Sequence, residues 1–277
     1  MTLIFTTRLH IRHYELDAHG ELPNSALFRL FQETAMRATR DAGFGVEWFM
    51  ERRTVWLVHQ MTVEHLRPIR YPDELDVATW LSDAQKVRTH REYLARDAVT
   101  NEIVARGRAY WVHLNGATLL PARIPADIME RFQPNGIRAV PRVEPRAYPL
   151  PAHLTPIEHR TRRRAQRYEA DGMQHVNNAV YVDWLEEALA DAVAAHLSTT
   201  RRSAQGGAHF GVRRHDIEYA RSALPGDEVE ISVRLIGAGH CASAWKLEVR
   251  RGEELLVRDG VTALWVNGAG KPVRGNL

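Results

Sequence analysis

Polar and apolar positions follow two periods along this chain, and the two alternate in the same order twice. The first half opens with an extended stretch, Thr7–Tyr14. A helical run follows from Asn24 to about Ala42, with Leu27, Leu30, Phe31 and Ala35 on one apolar stripe and Gly43 ending it. Pro23 suits the first turn of that helix and Asn24 is placed to cap it. Period-two segments come next, at about 54–67, 74–82, 87–97 and 102–114, separated by turns such as Tyr71-Pro72-Asp73. The second half repeats the order: a strand near 160–169, a helix near 177–197, and strands near 208–220, 228–237, 240–250 and 254–267. One long helix and an antiparallel sheet able to wrap it predict an α+β unit in each half.

Laying the chain on itself shows that the halves are copies. At a shift of 154 residues, Tyr14-Glu15-Leu16-Asp17 falls on Tyr168-Glu169-Ala170-Asp171, and Val63-Glu64-His65-Leu66-Arg67 on Ile217-Glu218-Tyr219-Ala220-Arg221. Glu74-Leu75-Asp76-Val77 falls on Glu228-Val229-Glu230-Ile231, and Trp111-Val112 on Trp265-Val266. Four matches at one constant shift indicate duplication of a whole domain, far longer than a solenoid repeat. Between the copies, about 116–158 is proline-rich (Pro121, Pro125, Pro134, Pro141, Pro145, Pro149, Pro151 and Pro156) and reads as a connector with one short helix near 125–132. The expected organisation is a domain over 1–118, a connector over 119–158 and a second domain over 159–277.

Composition narrows the class. The 277 residues suffice for a substantial core, and 44% apolar with 26% charged is ordinary for a soluble protein. No apolar run reaches the length of a membrane-spanning helix and no export signal is visible, so the cytoplasm is the expected compartment, with no membrane partner. A single cysteine, Cys241, excludes an intrachain disulfide and a multi-cysteine metal site. Its strand-like setting reads as a small buried residue. The 14 histidines show no His-x-x-x-His motif, so no metal is expected. Of the 37 basic residues only Lys86, Lys246 and Lys271 are lysines. Arginine clusters at Arg160, Arg162, Arg163 and Arg164, at Arg201 and Arg202, and at Arg213 and Arg214 suit an acidic partner or simply a solvated surface. Nucleic acid is not expected, because no readout motif accompanies the charge.

The chemistry concentrates in Asp171-Gly172-Met173-Gln174-His175-Val176-Asn177-Asn178, the loop that opens the second helix. A helix N-terminus carries unpaired N–H groups and partial positive charge, so it can hold a developing oxyanion. Asp171 is a candidate base or nucleophile, His175 a proton carrier, and the backbone near Asn177, Asn178 and Ala179 a candidate carbonyl-oxygen site. Each has a plain structural alternative. Asp171-Gly172 is a good turn pair, capping alone accounts for Asn177, and an isolated histidine is more often structural. In the first copy, Asp17 occupies the place of Asp171, but Glu21 and Pro23 replace His175 and Asn177, so that loop suits binding better than catalysis. Glu186 and Glu187, on the second helix, are backup carboxylates. No Gly-x-Ser-x-Gly elbow exists for a serine hydrolase.

A duplicated helix-and-sheet unit with His-Val-Asn-Asn opening its second helix resembles the tandem (double) hotdog proteins, and more narrowly the acyl-ACP thioesterases within the wider hydroxybenzoyl-CoA thioesterase-like group. The resemblance also rests on Leu30-Phe31-Gln32-Glu33-Thr34-Ala35, on Arg67-Pro68-Ile69-Arg70-Tyr71-Pro72-Asp73 and on Ile217-Glu218-Tyr219. It implies cofactor-free hydrolysis of a fatty acyl thioester in fatty acid biosynthesis, with an acidic acyl carrier protein or CoA as the substrate's carrier. Catalysis would lie in the second hotdog, at Asp171 and His175, with the first hotdog supplying much of the acyl-chain pocket; the residues read by themselves add Asn177 as a third catalytic candidate and Asn178, Ala179 and Asp17 as candidate substrate-binding positions. Such a chain would be a monomer with an internal pseudo-dimer, or a homodimer. The chain departs from the family at three positions: Met173 replaces an asparagine, Ser222 a glutamate and Ala223 a cysteine. Two other classes stay open, a hotdog acyl-thioester hydratase and a catalytically weak acyl-binding protein. The spacing of four between Asp171 and His175 argues against the hydratase.

Overall fold

The computed structural model describes residues 3–142, 149–150, 156–199 and 209–275. Arg201, Arg202, Pro145 and Pro151 lie outside the described residues. The chain forms two compact units, Met1–Pro141 and Arg142–Leu277.

In the first unit, β1 (Phe5–His10), β2 (Thr54–His65), β3 (Glu74–Gln85), β4 (Arg88–Asp97) and β5 (Ile103–Asn115) form an antiparallel sheet in the order β1-β3-β4-β5-β2. The long helix α1 (Asn24–Asp41) buries Leu27, Phe31, Ala35 and Ala38, one face at helical spacing. Phe31 stacks on Tyr93 at 4.9 Å. Gly107 permits that stack, since a Cβ there would lie 2.6 Å from the Phe31 ring. Gly43, at φ +96°, lets the chain leave the helix, but at the other end Pro23 holds the cap position and Asn24 is already helical. Asn24 therefore does not hold the expected cap position: proline pre-sets its own φ to −64° and the turn closes through its carbonyl, which accepts the Ala26 N–H.

Two further elements belong to this unit. The helix α2 (Val46–Glu51), which the polar–apolar pattern did not reveal, is one short amphipathic turn and a half. The helix α3 (Ala126–Arg131) falls within the proline-rich stretch, where the pattern predicts it. Far from hanging as a free connector, 119–141 packs on the sheet. Ile124, Ile128 and Phe132 join Phe44 and Leu81 in one cluster, and Asn135 and Gly136 donate to Leu81 and Ser82. The first unit therefore runs on past residue 118.

The second unit repeats the plan with β6 (Glu158–Arg164), α4 (Asn178–Thr199), β7 (His209–Tyr219), β8 (Glu228–Ala238), β9 (Ala242–Arg251) and β10 (Glu254–Val266), in the order β6-β8-β9-β10-β7. Tyr181, Trp184, Leu185, Ala188 and Leu189 bury one face of α4, which packs on β7, β8 and β9, the strands in which Ile217, Ile231 and Trp245 are buried. The duplication reaches the irregularities: strand registers skip His59 and Ser82 in the first unit, and Arg213 and Ile236, each 154 residues on, in the second. Each unit is α+β, a helix wrapped by an antiparallel sheet, as in a hotdog. Both opening strands stop early. Each leads into a short 3-10 turn, at His13–Glu15 and Arg167–Glu169, whose glutamate accepts the N–H of Arg12 or Gln166. Cys241 lies half-exposed in the bend before β9, not buried in a strand.

Candidate active site

The loop from Asp171 to Asn177 is a closed knot. The Asp171 N–H donates to the His175 carbonyl at 3.0 Å, the Gln174 N–H returns to the Asp171 carbonyl at 3.0 Å, and Gln174 takes the left-handed conformation at φ 64°. The first copy ties the same knot: Asp17 N–H to Glu21 carbonyl, Gly20 N–H to Asp17 carbonyl, and Gly20 at φ 73°. Glycine reaches that conformation freely, whereas the second copy holds a glutamine there, a strain of the kind that needs surrounding bonds to persist.

The bonds that hold the second copy come from a buried glutamate. Glu169 Oε1 accepts Trp184 Nε1 of α4 at 3.0 Å and pairs with Arg163 of β6, whose guanidinium lies 4.3 Å from the Trp184 ring. The Glu169 carbonyl accepts the Asn177 N–H at 3.0 Å. The first copy has Glu15, but Leu9 and Leu30 stand where Arg163 and Trp184 would be. The opposite side of the loop is fixed by the segment after β7. The Val176 N–H donates to the Ala223 carbonyl at 2.9 Å, and the Ala223 N–H to the Tyr181 hydroxyl at 2.7 Å. Burial pushes the Tyr181 phenol up to about 12, so it stays neutral and keeps its proton as a donor. Ser222, one residue before, is exposed and brings no carboxylate.

Within this frame the candidate residues separate. Asp171 Oδ1 accepts the Met173 N–H at 2.9 Å, so Met173 contributes backbone while its side chain is exposed. Asp171 Oδ2 accepts Asn177 Nδ2 at 3.2 Å, and Asn177 Oδ1 accepts the Ala179 N–H at 3.0 Å. Asn177 is thus the cap of α4 and also the tether of Asp171, so capping does not account for it fully. His175 Nδ1 lies 3.8 Å from Asp171 Oδ1, beyond hydrogen-bond range, and is enclosed without a hydrogen-bond partner among the described residues. The two side chains are neighbours, not a hydrogen-bonded dyad.

The carbonyl-oxygen site narrows. Among the N–H groups of 177–180, Asn177 donates to Glu169, Ala179 to the Asn177 side chain and Val180 to the Asn177 carbonyl. The expectation that Ala179 receives an oxyanion therefore fails on geometry, because the cap has already taken its proton. The Asn178 N–H has no acceptor among the described residues. Its carbonyl, in turn, accepts the Tyr219 hydroxyl at 3.1 Å.

Asp17 is exposed and its Oδ1 accepts the His19 and Glu21 N–H groups at 2.8 and 3.0 Å. Where His175 stands in the second copy, Glu21 is buried and paired with Arg70 at 2.6 Å. The arginine clusters are largely neutralised: Arg160 and Arg162 both reach Glu230, and Arg214 meets Asp216 at 2.7 Å. Glu187 is exposed. Glu186 is not an idle backup: its Oε1 lies 2.9 Å from His215 Nε2, and His215 Nδ1 lies 2.6 Å from Asp259 Oδ2. His215 and Asp259 were missed from sequence because each is a single polar residue within an apolar strand pattern. The duplication carries the signal that finds them, since Met61 and Ala105 hold their places in the first copy. No helix of the described residues is long and apolar enough to cross a membrane, and no three of their His, Cys, Asp or Glu side chains converge as metal ligands.

Comparison with known proteins divides the chain in the same way. Residues 2–132 match the family model described as the acyl-ACP thioesterase N-terminal domain, and residues 173–258 match the thioesterase superfamily. An acyl-[acyl-carrier-protein] hydrolase, chloroplastic, of Cuphea viscosissima is 28% identical over 193 residues, covering 67% of this chain and 47% of that protein. A palmitoyl-acyl carrier protein thioesterase, chloroplastic, of Arabidopsis thaliana is 26% identical over 197 residues, with the same coverage of 67% and 47%. The chain spans about half the length of these plant relatives. Among solved structures, a 12:0-ACP thioesterase from Umbellularia californica matches with a TM-score of 0.75 at 19% identity, covering 95% of this chain and 94% of that one. An acyl-ACP thioesterase from Bacteroides thetaiotaomicron matches at 0.70 and 18% identity, covering 94% and 97%. Both share the fold.

Proposed function

The chain belongs to the acyl-ACP thioesterase family, and from that premise we propose that it hydrolyses fatty acyl thioesters carried on acyl carrier protein, at the N-terminus of α4. The observation that carries the reading is local. Asp171, tethered by Asn177, sits beside a helix N-terminus whose Asn178 N–H meets no acceptor among the described residues.

In this mechanism the thioester oxygen is received by the Asn178 N–H, where the helix field also favours the negative charge of the tetrahedral intermediate. Asp171 takes a proton from water as the water oxygen bonds to the carbonyl carbon. Water is preferred to the carboxylate as nucleophile because both Asp171 oxygens are held by donors, Met173 N–H and Asn177 Nδ2. That leaves lone pairs for a proton but restrains the rotation an attack would need. Collapse of the intermediate breaks the carbon–sulfur bond, and the proton passes to the departing thiolate with His175 as carrier. The products are a free fatty acid and the carrier thiol.

The test is thiol release from a panel of acyl-ACP and acyl-CoA thioesters by wild type, Asp171→Asn and Asp17→Asn. Wild type is expected to cleave acyl-ACP, Asp171→Asn to lose at least about 100-fold in kcat, and Asp17→Asn to stay within a few-fold of wild type. Loss at Asp17 with full activity in Asp171→Asn would move the site to the first copy. Hydration of a crotonyl thioester in place of hydrolysis would overturn the reaction class, and acyl binding without cleavage would leave a carrier of acyl groups.

A further inference from the structure

The interior of the second unit holds a charged triad that the hydrolytic step above does not use. His215, on β7, is 1% exposed, and so is Asp259, on β10. Asp259 Oδ2 lies 2.6 Å from His215 Nδ1, and Glu186 Oε1, from α4, lies 2.9 Å from His215 Nε2. Burial opposes charge on the imidazole, but the two carboxylates overcome it and raise its pKa to about 10. The ring is therefore doubly protonated at neutral pH and donates to both neighbours.

The fold does not need these charges. At the same three places the first unit carries Gln32, Met61 and Ala105, and forms the same helix-on-sheet packing. Buried ion clusters are often no more stabilising than apolar replacements of similar volume. The triad occurs in the unit that also carries Asp171, His175 and the Asn177 cap, and is missing from the unit whose loop lacks them.

Its placement gives it a task. Tyr219, four residues after His215 on the same face of β7, donates to the Asn178 carbonyl at 3.1 Å. Asn178 and Glu186 are eight residues apart on α4, about 12 Å along the axis at 1.5 Å per residue. Tyr219 and His215 are about 13 Å apart along the strand at 3.3 Å per residue. The spacings match, so helix and strand are joined at two points of equal separation. One joint alone lets a helix pivot; two fix its rotation and its position along the strand.

We propose that Glu186, His215 and Asp259 are positioning residues, which lock α4 onto β7 and β10 so that the Asn178 N–H is held at a fixed place beside Asp171. The proposal rests on the hydrolytic reading for its kinetic consequence, but not for its structural one.

The experiment uses the full chain. In one variant Glu186→Gln, His215→Met and Asp259→Ala install the first unit's own residues together. The expected result is a thermal midpoint no lower than wild type, kcat on acyl-ACP reduced about 10-fold or more, and KM changed less than about 2-fold, the split expected when only transition-state stabilisation is lost. Single variants guard against misfolding of the triple. Glu186→Gln keeps an acceptor for His215 and should hold kcat within about 3-fold, while Glu186→Ala should fall with the triple. Backbone amide exchange of residues 176–181, which needs no substrate, should quicken in Glu186→Ala and in the triple but not in Glu186→Gln. Unchanged exchange in both would overturn the proposal, even if the wild type cleaves nothing. If the wild type cleaves and the triple retains full kcat, the proposal is equally wrong. A Glu186→Gln kcat as low as that of Glu186→Ala would mean that charge, not position, is acting.

Discussion

Replacing Asn177 by serine separates two duties that one amide performs. Serine caps helices about as well as asparagine, so the bond now made by Oδ1 to the Ala179 N–H survives the change. The bond from Nδ2 to Asp171 Oδ2, at 3.2 Å, does not, because a serine hydroxyl engaged with the Ala179 N–H is too short to reach back. A hydrogen bond to a charged group contributes about 1.5–3 kcal/mol when enclosed. Asp171 is about a quarter exposed, at 26% of its side chain, which places the loss near the lower end or below it, about 1 kcal/mol. Asn177→Ala loses the cap as well and should cost about 1 kcal/mol more. The kinetic expectation is different. Without the tether the carboxylate turns about its own bonds, and misorientation of a base by this much should lower kcat about 10-fold, or 1.4 kcal/mol in the barrier. Urea denaturation and initial rates of thiol release on acyl-ACP measure the two effects separately. If Asn177→Ser keeps wild-type kcat while only Asn177→Ala loses it, Asn177 is a cap and nothing more.

Two further outcomes concern the buried charges. Because His215 keeps its proton to about 10 in the folded protein and loses it near 6.5 when unfolded, its contribution to stability is complete below pH 6.5 and declines as pH rises toward 10. Unfolding free energies from urea denaturation between pH 7 and 9 should fall with a slope of up to about 1.4 kcal/mol per pH unit from this group, and the slope should flatten in the Glu186→Gln, His215→Met, Asp259→Ala variant; an equal slope in that variant would refute the assignment. Arg91, 8% exposed, has no carboxylate partner among the described residues; it makes a long contact of 3.5 Å to Thr79 Oγ1 and lies 5.2 Å from the Phe132 ring, and burial pulls its pKa below the usual guanidinium value. The second copy fills the same place with the buried Trp245, so Arg91→Met should stabilise the chain by about 1 kcal/mol or more, about 3 °C in calorimetry; a clear fall in the midpoint would show that the charge has a partner the fold requires.

Much of the architecture is legible in residue order because it depends on periodicity. The stripe of Leu27, Phe31 and Ala35 and the period-two runs place α1 and the strands to within a few residues. The constant shift of 154 makes each copy a check on the other. What escapes the pattern is set by single contacts. The short helix α2 has too few turns to show a period, and the strand β6 ends at Arg164 because Glu169 bends the chain back onto Gln166. The site divides in the same manner. Asp171, His175 and Asn177 stand out as a dense polar run in one loop, and the structure gathers them there. Glu169, His215 and Asp259 are isolated polar residues in apolar surroundings, so their partners are visible only after folding. The partition of N–H groups at α4, which rules out Ala179 and leaves Asn178, depends on hydrogen-bond geometry that no sequence pattern encodes.

The account's central claim is that Asp171 and the N-terminus of α4 together hydrolyse an acyl thioester. Release of carrier thiol from acyl-ACP, followed continuously for the full chain beside its Asp171→Asn variant, tests it most directly. Steady release by the wild type with a loss of at least about 100-fold in the variant is the predicted result. Equal release by both proteins, or none by the wild type, would contradict it.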